Sequence, residues 1–291
     1  MKVHFGPAGN GNSFGKRKNT ELPEYLRQFG LDAYEYQCGH GVRISEQTAA
    51  ALGDRMKEAD VFLSVHSPYY ISLSSVEKEK REKSVQYLLS TAKVAKAMGA
   101  PRIVVHSGSC AKITREQALT FAKETLLIAA AELRAAHLDD ISLCPETMGK
   151  INQLGNLEEV IALCRVDDSF IPCIDFGHLN ARTFGAIRTK EDYAQILDQM
   201  EQALGRERVR RFHSHFSRIA FTEPGGEKRH MTFADTEWGP EFSPLAELIA
   251  ERDLAPTVIC ESAGTQAEDA GTMREIYLQK REELQKNGVK E

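Results

Sequence analysis

The sequence predicts an α/β fold, a (β/α)8 barrel forming one domain over residues 1–291, and three observations predict it. Eight short apolar runs recur along the chain, as many as such a barrel has strands. Segments of helical periodicity fill the intervals between them. Six of the runs stop on a residue type that ligates metal, and in a parallel barrel all strand ends face one mouth.

Taken in order, the first run, KVHFG (2–6), leads into GPAGNGNSFG. That stretch does not match G-x-G-x-x-G, the phosphate-binding turn expected in the competing fold, a doubly wound open sheet. AYEYQC (33–38) follows, with the loop GHGVR behind it, and then VFLSVH (61–66), which stops on His66. Residues 77–100 form the clearest helix: Val85, Leu88, Leu89, Ala92 and Ala95 share one face, and Gly99-Ala100-Pro101 stops it. RIVVH (102–106) ends on His106. The helix over 114–137 opens on Thr114, whose hydroxyl can cap it. ISLCPE (141–146) ends on Glu146, and FIPCID (170–175) on Asp175, with His178 three residues on. VRRFHSHF (209–216) carries His213 and His215. A last helix opens with Ser243 and a proline suited to the first turn, and APTVICE (255–261) ends on Glu261. The runs are continuous rather than alternating, which suits parallel strands covered on both faces.

Composition is that of an ordinary globular protein, 42% hydrophobic and 27% charged. A net charge of -5 gives no overall basic field for nucleic acid, although a local basic rim could do the same work. No apolar run approaches the roughly 20 residues that span a bilayer, and MKVHFGPAGNG lacks a signal-peptide core. A cytoplasmic monomer without membrane attachment is therefore expected. The six cysteines are scattered without a C-x-x-C pair, so reduced thiols packed as small hydrophobes are expected.

His66, His106, Glu146, Asp175 and Glu261 each end a predicted strand and so converge on one mouth. A lone histidine in that position is ordinarily a hydrogen-bonded core residue. Repetition on successive strands asks for a common cause, and a cation supplies it, because crowded carboxylates and imidazoles otherwise repel or desolvate one another. Imidazole with carboxylate suits Zn2+ or Mn2+ better than Mg2+. His213 and His215 alternate about Ser214 and point the same way, so both could line the mouth.

The motifs HSPY (66–69), VVHSGS (104–109), PETMGKINQLG (145–155), CIDFGH (173–178), HFSR (215–218), KRH (228–230) and CES (260–262) resemble the endonuclease IV family of apurinic/apyrimidinic endonucleases, within the xylose isomerase-like TIM barrel superfamily. The resemblance implies a TIM barrel with zinc, two or three ions, that cleaves the DNA backbone 5′ to an abasic site through a metal-bound hydroxide. It implies that His66, His106 and Glu146 hold one ion. Glu146 would bridge to a second, held also by Asp175, Glu261 and a histidine of the seventh strand, with His215 favoured over His213 by its spacing to KRH. His178 and His230 would hold a third. Glu146 and Glu261 carry the catalytic roles, and Tyr69 resembles a tyrosine that contacts DNA beside the abasic nucleotide.

Two positions depart from that pattern. The family places an aspartate two residues before the third-site histidine, where this chain has Lys228. An ammonium cannot ligate while charged, so the third ion is expected to be weak, absent or rebuilt with Glu227 or Asp235, unless Lys228 itself serves the phosphate. The loop QCGHGVR does not reproduce the family's arginine-bearing DNA-intercalating loop, and Arg43 is the candidate for that duty. The competing function is a sugar isomerase or epimerase with a single ion on Glu146, Asp175, His215 or His213, and Glu261. Such an enzyme has no need of His66, His106, His178 or His230.

Overall fold

The computed structural model describes residues 2–110 and 112–288. Eight parallel strands form the sheet: β1 (His4–Pro7), β2 (Ala33–Gln37), β3 (Phe62–His66), β4 (Arg102–His106), β5 (Ser142–Glu146), β6 (Cys173–Asp175), β7 (His213–Phe216) and, after the two strands of a hairpin, β10 (Thr257–Cys260). Their order is β1-β10-β7-β6-β5-β4-β3-β2. The seam between β1 and β2 is joined by a bridge from Ala8 to Glu35 and by bonds from Gly9 N to Glu35 O and from Asp32 N to Phe5 O. Gly6 allows that seam, since a Cβ there would lie 1.9 Å from Ala33 O. The predicted (β/α)8 barrel is thus present and nearly closed.

Around it run α1 (Leu22–Gln28), α2 (Glu46–Glu58), α3 (Lys78–Met98), α4 (Arg115–Ala135), α5 (Leu157–Cys164), α6 (Phe176–Arg182), α7 (Lys190–Leu204), α8 (Arg206–Arg210), α9 (Ser243–Glu251) and α10 (Gln266–Gly288). Thr114 caps α4 as expected, its hydroxyl accepting from Gln117 N while the Gln117 side chain returns to the cap. Gly99 ends α3 at φ 70°. Outward-facing Phe5, Leu63, Val65, Ile103, Val105 and Leu143 meet the helices in the main core. Inside the barrel Val104, Cys144, Ile171 and Cys173 form a small apolar layer beneath the mouth. The cysteines are free thiols, all buried except Cys110.

Several boundaries differ from expectation. The sixth strand begins at Cys173 because Pro172 cannot donate to the ladder. Val209 and Arg210, read as strand, lie in α8, and β10 stops at Cys260, one residue before Glu261. An unpredicted antiparallel hairpin, β8 (Ile219–Thr222) and β9 (Gly226–His230), rises beside the mouth. Its second strand, GEKRH, is too polar to read as a strand from pattern alone. Among the described residues, no helix is long and apolar enough to cross a membrane.

Candidate metal centre

Strand register assembles the site. His106 lies directly beside Glu146 across β4–β5, and Asp175 beside His215 across β6–β7. Glu146 pairs with Cys173, so Asp175 and His215 lie two residues further along their strands, and His66 from β3 and Glu261 just after β10 join both pairs at the mouth. His178 follows one turn into α6, where Asp175 caps the helix by accepting from His178 N at 2.7 Å. His230 enters from the hairpin. With Tyr69, these residues line a cavity of about 720 Å3, apart from Asp175 and His215, which sit in its buried floor.

The side chains form three sets. His66, His106 and Glu146 are one; Glu146, Asp175, His215 and Glu261 a second; His178, His230 and Glu261 a third. Within each, the candidate ligand atoms all lie within 4.8 Å of one another. Glu146 joins the first two sets and Glu261 the last two. Glu146 Oε2 is 3.4 Å from His66 Nε2 and 3.5 Å from His106 Nε2, while Glu146 Oε1 is 3.0 Å from His215 Nδ1.

Hydrogen bonds on the far ring nitrogens fix which nitrogen is left for the centre. His66 Nδ1 donates to Ser67 O at 2.8 Å, and His178 Nδ1 to Thr147 O at 2.9 Å. A carbonyl can only accept, so Nδ1 carries a proton in both rings, and in the neutral imidazole Nε2 is the nitrogen free to ligate. Ser217 Oγ lies 2.8 Å from His230 Nδ1 and, when it accepts, leaves Nε2 of that ring free in the same way. Asp175 gives Oδ1 to the helix cap and leaves Oδ2 without a partner, as is Glu146 Oε2, both atoms buried. Bare carboxylate oxygens out of water are costly unless a cation meets them. This donor set of imidazole nitrogens and carboxylate oxygens fits Zn2+.

Burial lowers the imidazoles of His66, His178 and His215, but the surrounding acidic groups outweigh it and raise all three, so the cluster draws positive charge. Burial pushes the His106 imidazole down to about 3, so it is neutral and free to ligate. Burial drives Glu146 up, but the imidazoles of His215, His178 and His66 outweigh it and hold the carboxyl well below its usual range. Glu261 is raised, by burial and by the charges of Glu146 and Asp175 against the pull of His215 and His230. A carboxylate made uncomfortable by its neighbours is the expected state of a site built around cations.

The remaining predicted residues fall elsewhere. His213 sits one layer deeper, its Nε2 3.0 Å from Glu35 Oε2, grouped with Cys173 and the far side of His215. It does not line the mouth, so the choice left open on β7 goes to His215 on geometry. Lys228 is exposed and absent from the cavity wall, and Arg43 does not line it either. Of the arginines that could form a basic rim, Arg182 is buried against Met148 O and Arg218 is paired with Glu241, which leaves Arg229 exposed. Tyr69 stands at the rim, 51% exposed, stacked on His106 with ring centroids 5.5 Å apart.

Glu35 escaped the sequence reading. It is fully buried on β2, accepts from Ser64 Oγ at 2.9 Å and from Gln37 Nε2 at 3.1 Å, and lies between both β7 histidines. His215 Nε2 is 3.0 Å from its Oε1, an ionic contact off the line of a hydrogen bond. A single glutamate in AYEYQ reads as a solvated strand face; only its facing into the barrel reveals it.

Comparison with known proteins agrees with this architecture. The family described as Xylose isomerase-like TIM barrel matches residues 23–282. An uncharacterized protein of Methanocaldococcus jannaschii, MJ0133, is 33% identical over 82% of this chain and 85% of its own length. A probable endonuclease 4 of Aquifex aeolicus is 27% identical over 64% of this chain, which spans 66% of that relative's length. Among solved structures, a D-tagatose 3-epimerase-like protein superposes with a TM-score of 0.71 at 18% identity, covering 97% of this chain and 99% of that one. The chain belongs to the xylose isomerase-like TIM barrel family.

Proposed function

We propose that this protein is a metal-dependent phosphodiesterase that cleaves the DNA backbone 5′ to abasic sites. One observation carries the reading: the mouth holds more ligand groups than a single ion can use. Glu146, Asp175, His215 and Glu261 suffice for one cation, yet His66 with His106 and His178 with His230 complete further sets that share the same carboxylates. The likeness to a probable endonuclease 4 supports the same chemistry.

Two or three Zn2+ ions, with Mn2+ as the other metal suited to these donors, would neutralise phosphate charge and make water a better nucleophile at neutral pH. The chain's own groups do the rest. Glu146, shared between two sets, fixes their spacing. Glu261, shared between the second set and the third, faces the cavity and can orient an attacking water. The bonds from His66 to Ser67 O and from His178 to Thr147 O keep both imidazoles in the ligating tautomer throughout turnover. Tyr69 offers a half-exposed ring at the rim on which a base or unpaired sugar can rest.

The second reading, a sugar epimerase, is favoured by the complete four-residue set on β5, β6, β7 and β10. The test is incubation of the purified protein with a duplex containing one abasic site, with and without chelator. Chelator-sensitive incision on the 5′ side is expected. An intact duplex beside chelator-sensitive epimerisation of a ketose would transfer the assignment to the second reading.

A further inference from the structure

The third ligand set holds two imidazoles and shares its carboxylate, Glu261, with the second. Family resemblance places a dedicated aspartate at the position of Lys228, which points away from the cavity. The hairpin resolves the gap. In its ladder Ile219 pairs with His230, Ala220 with Arg229, Phe221 with Glu227 and Thr222 with Gly226. Between Ala220 and Phe221 the register shifts, so Lys228 is the extra, unpaired residue of a β-bulge.

In an unbroken strand residues 227 and 230 would face opposite sides, because side chains alternate. One extra residue restores them to the same side. Glu227 accordingly enters the mouth with His230: its Oε2 is 3.5 Å from His178 Nε2 and its Oε1 3.9 Å from His230 Nε2. These are the two nitrogens left free to ligate when Nδ1 donates to Thr147 O and to Ser217 Oγ.

The surrounding backbone makes room for this side chain. Glu227 N donates to Gly149 O at 3.1 Å. A Cβ on Gly149 would stand 2.6 Å from Glu227 Cβ, 2.8 Å from its Oε2 and 2.9 Å from His178 Cδ2. Gly226, at φ +77°, lets β9 approach so closely that a Cβ there would lie 2.4 Å from Gly149 O. Any residue but glycine at 149 would push Glu227 away from His178.

We propose that Glu227 is the carboxylate of a third divalent-cation site with His178 and His230, and that the bulge at Lys228 is the device that brings it in. The proposal rests on the reading of the mouth as a multi-ion centre. The cation class follows from two imidazoles and a carboxylate, which suit zinc.

The test is elemental analysis of the full-length protein after dialysis against zinc buffered by a weak chelator, with melting temperature and circular dichroism as controls for folding. Glu227→Gln is expected to lose one ion per chain relative to the unchanged protein, while Lys228→Ala keeps the full count. Deletion of Lys228 removes the bulge yet leaves Glu227 two positions before His230, on the same face of a regular strand, and is also expected to keep the full count. Should a folded Glu227→Gln protein retain every ion at unchanged affinity, or should the unchanged protein load fewer than three, the proposal is overturned. Loss of an ion in Glu227→Gln beside a failure to incise abasic DNA would instead keep the site and discard the substrate.

Discussion

At the residue scale the histidines and carboxylates of the mouth were legible because each stops an apolar run, and strand ends in a parallel barrel share one face. His213 and His215 could not be separated in that way. Both point inward, and what divides them is depth, two residues or roughly 7 Å along the strand. Glu35 decides the matter physically. Its carboxylate is held well below the usual range, because the charges of His215 and His213 and the contact with His213 outweigh the burial that opposes ionisation. It engages Nε2 of His213 and Nε2 of His215, which leaves Nδ1 of His215 toward Glu146 and the proposed cations. Glu35→Ala should therefore weaken zinc binding by about 10–100-fold, the range typical of removing a partner behind a ligating histidine. Competition against a chromophoric chelator measures this. Unchanged affinity in a folded variant would mean that His215 is oriented by something else.

At the element scale, helix caps and the Gly-Ala-Pro stop were readable from local chemistry, whereas the β8–β9 hairpin was not. GEKRH has the composition of a loop, and a bulge depends on where a partner strand ends its pairing. The loop after β5 matters as much. Glu159 on α5 accepts from Gly155 N at 2.7 Å and Asn156 N at 2.9 Å, and takes two bonds from Arg115 at 2.7 Å. Arg115 also reaches Ile151 O and Gln153 O, so this one ion pair clamps the segment that carries Thr147 and Gly149. Burial pushes Glu159 up, but Arg115 and the two backbone donors prevail, and its carboxyl lies below the ordinary value. Because the folded value is depressed, the clamp stabilises fully above the unfolded-state value of 4.5 and weakens as pH falls through the folded one. Glu159→Gln should cost about 2 kcal/mol near neutral pH, moderated by the partial exposure of Arg115, and less under acid. Urea unfolding at two pH values tests this. An equal cost at both would show that the charge on Glu159 plays no part.

At the scale of the whole molecule, the barrel turns residues almost 200 positions apart into one centre, and that convergence was visible in the sequence as spacing alone. Visible too were four histidines beyond those a single-ion enzyme needs, on which the proposed multiplicity rests. Hidden was the layering inside the barrel: an apolar layer of Val104, Cys144, Ile171 and Cys173 lies below the mouth, with Glu35 and His213 buried beside it. That floor is buried, so the cavity at the mouth is the open side of the candidate site. The central claim is that this mouth holds several ions rather than one. Anomalous diffraction at the zinc edge, from crystals of the full chain grown with zinc, tests it most directly. The account predicts separate peaks among His66, His106 and Glu146, among Glu146, Asp175, His215 and Glu261, and beside His178 and His230. A single peak confined to the Glu146, Asp175, His215 and Glu261 set would contradict it.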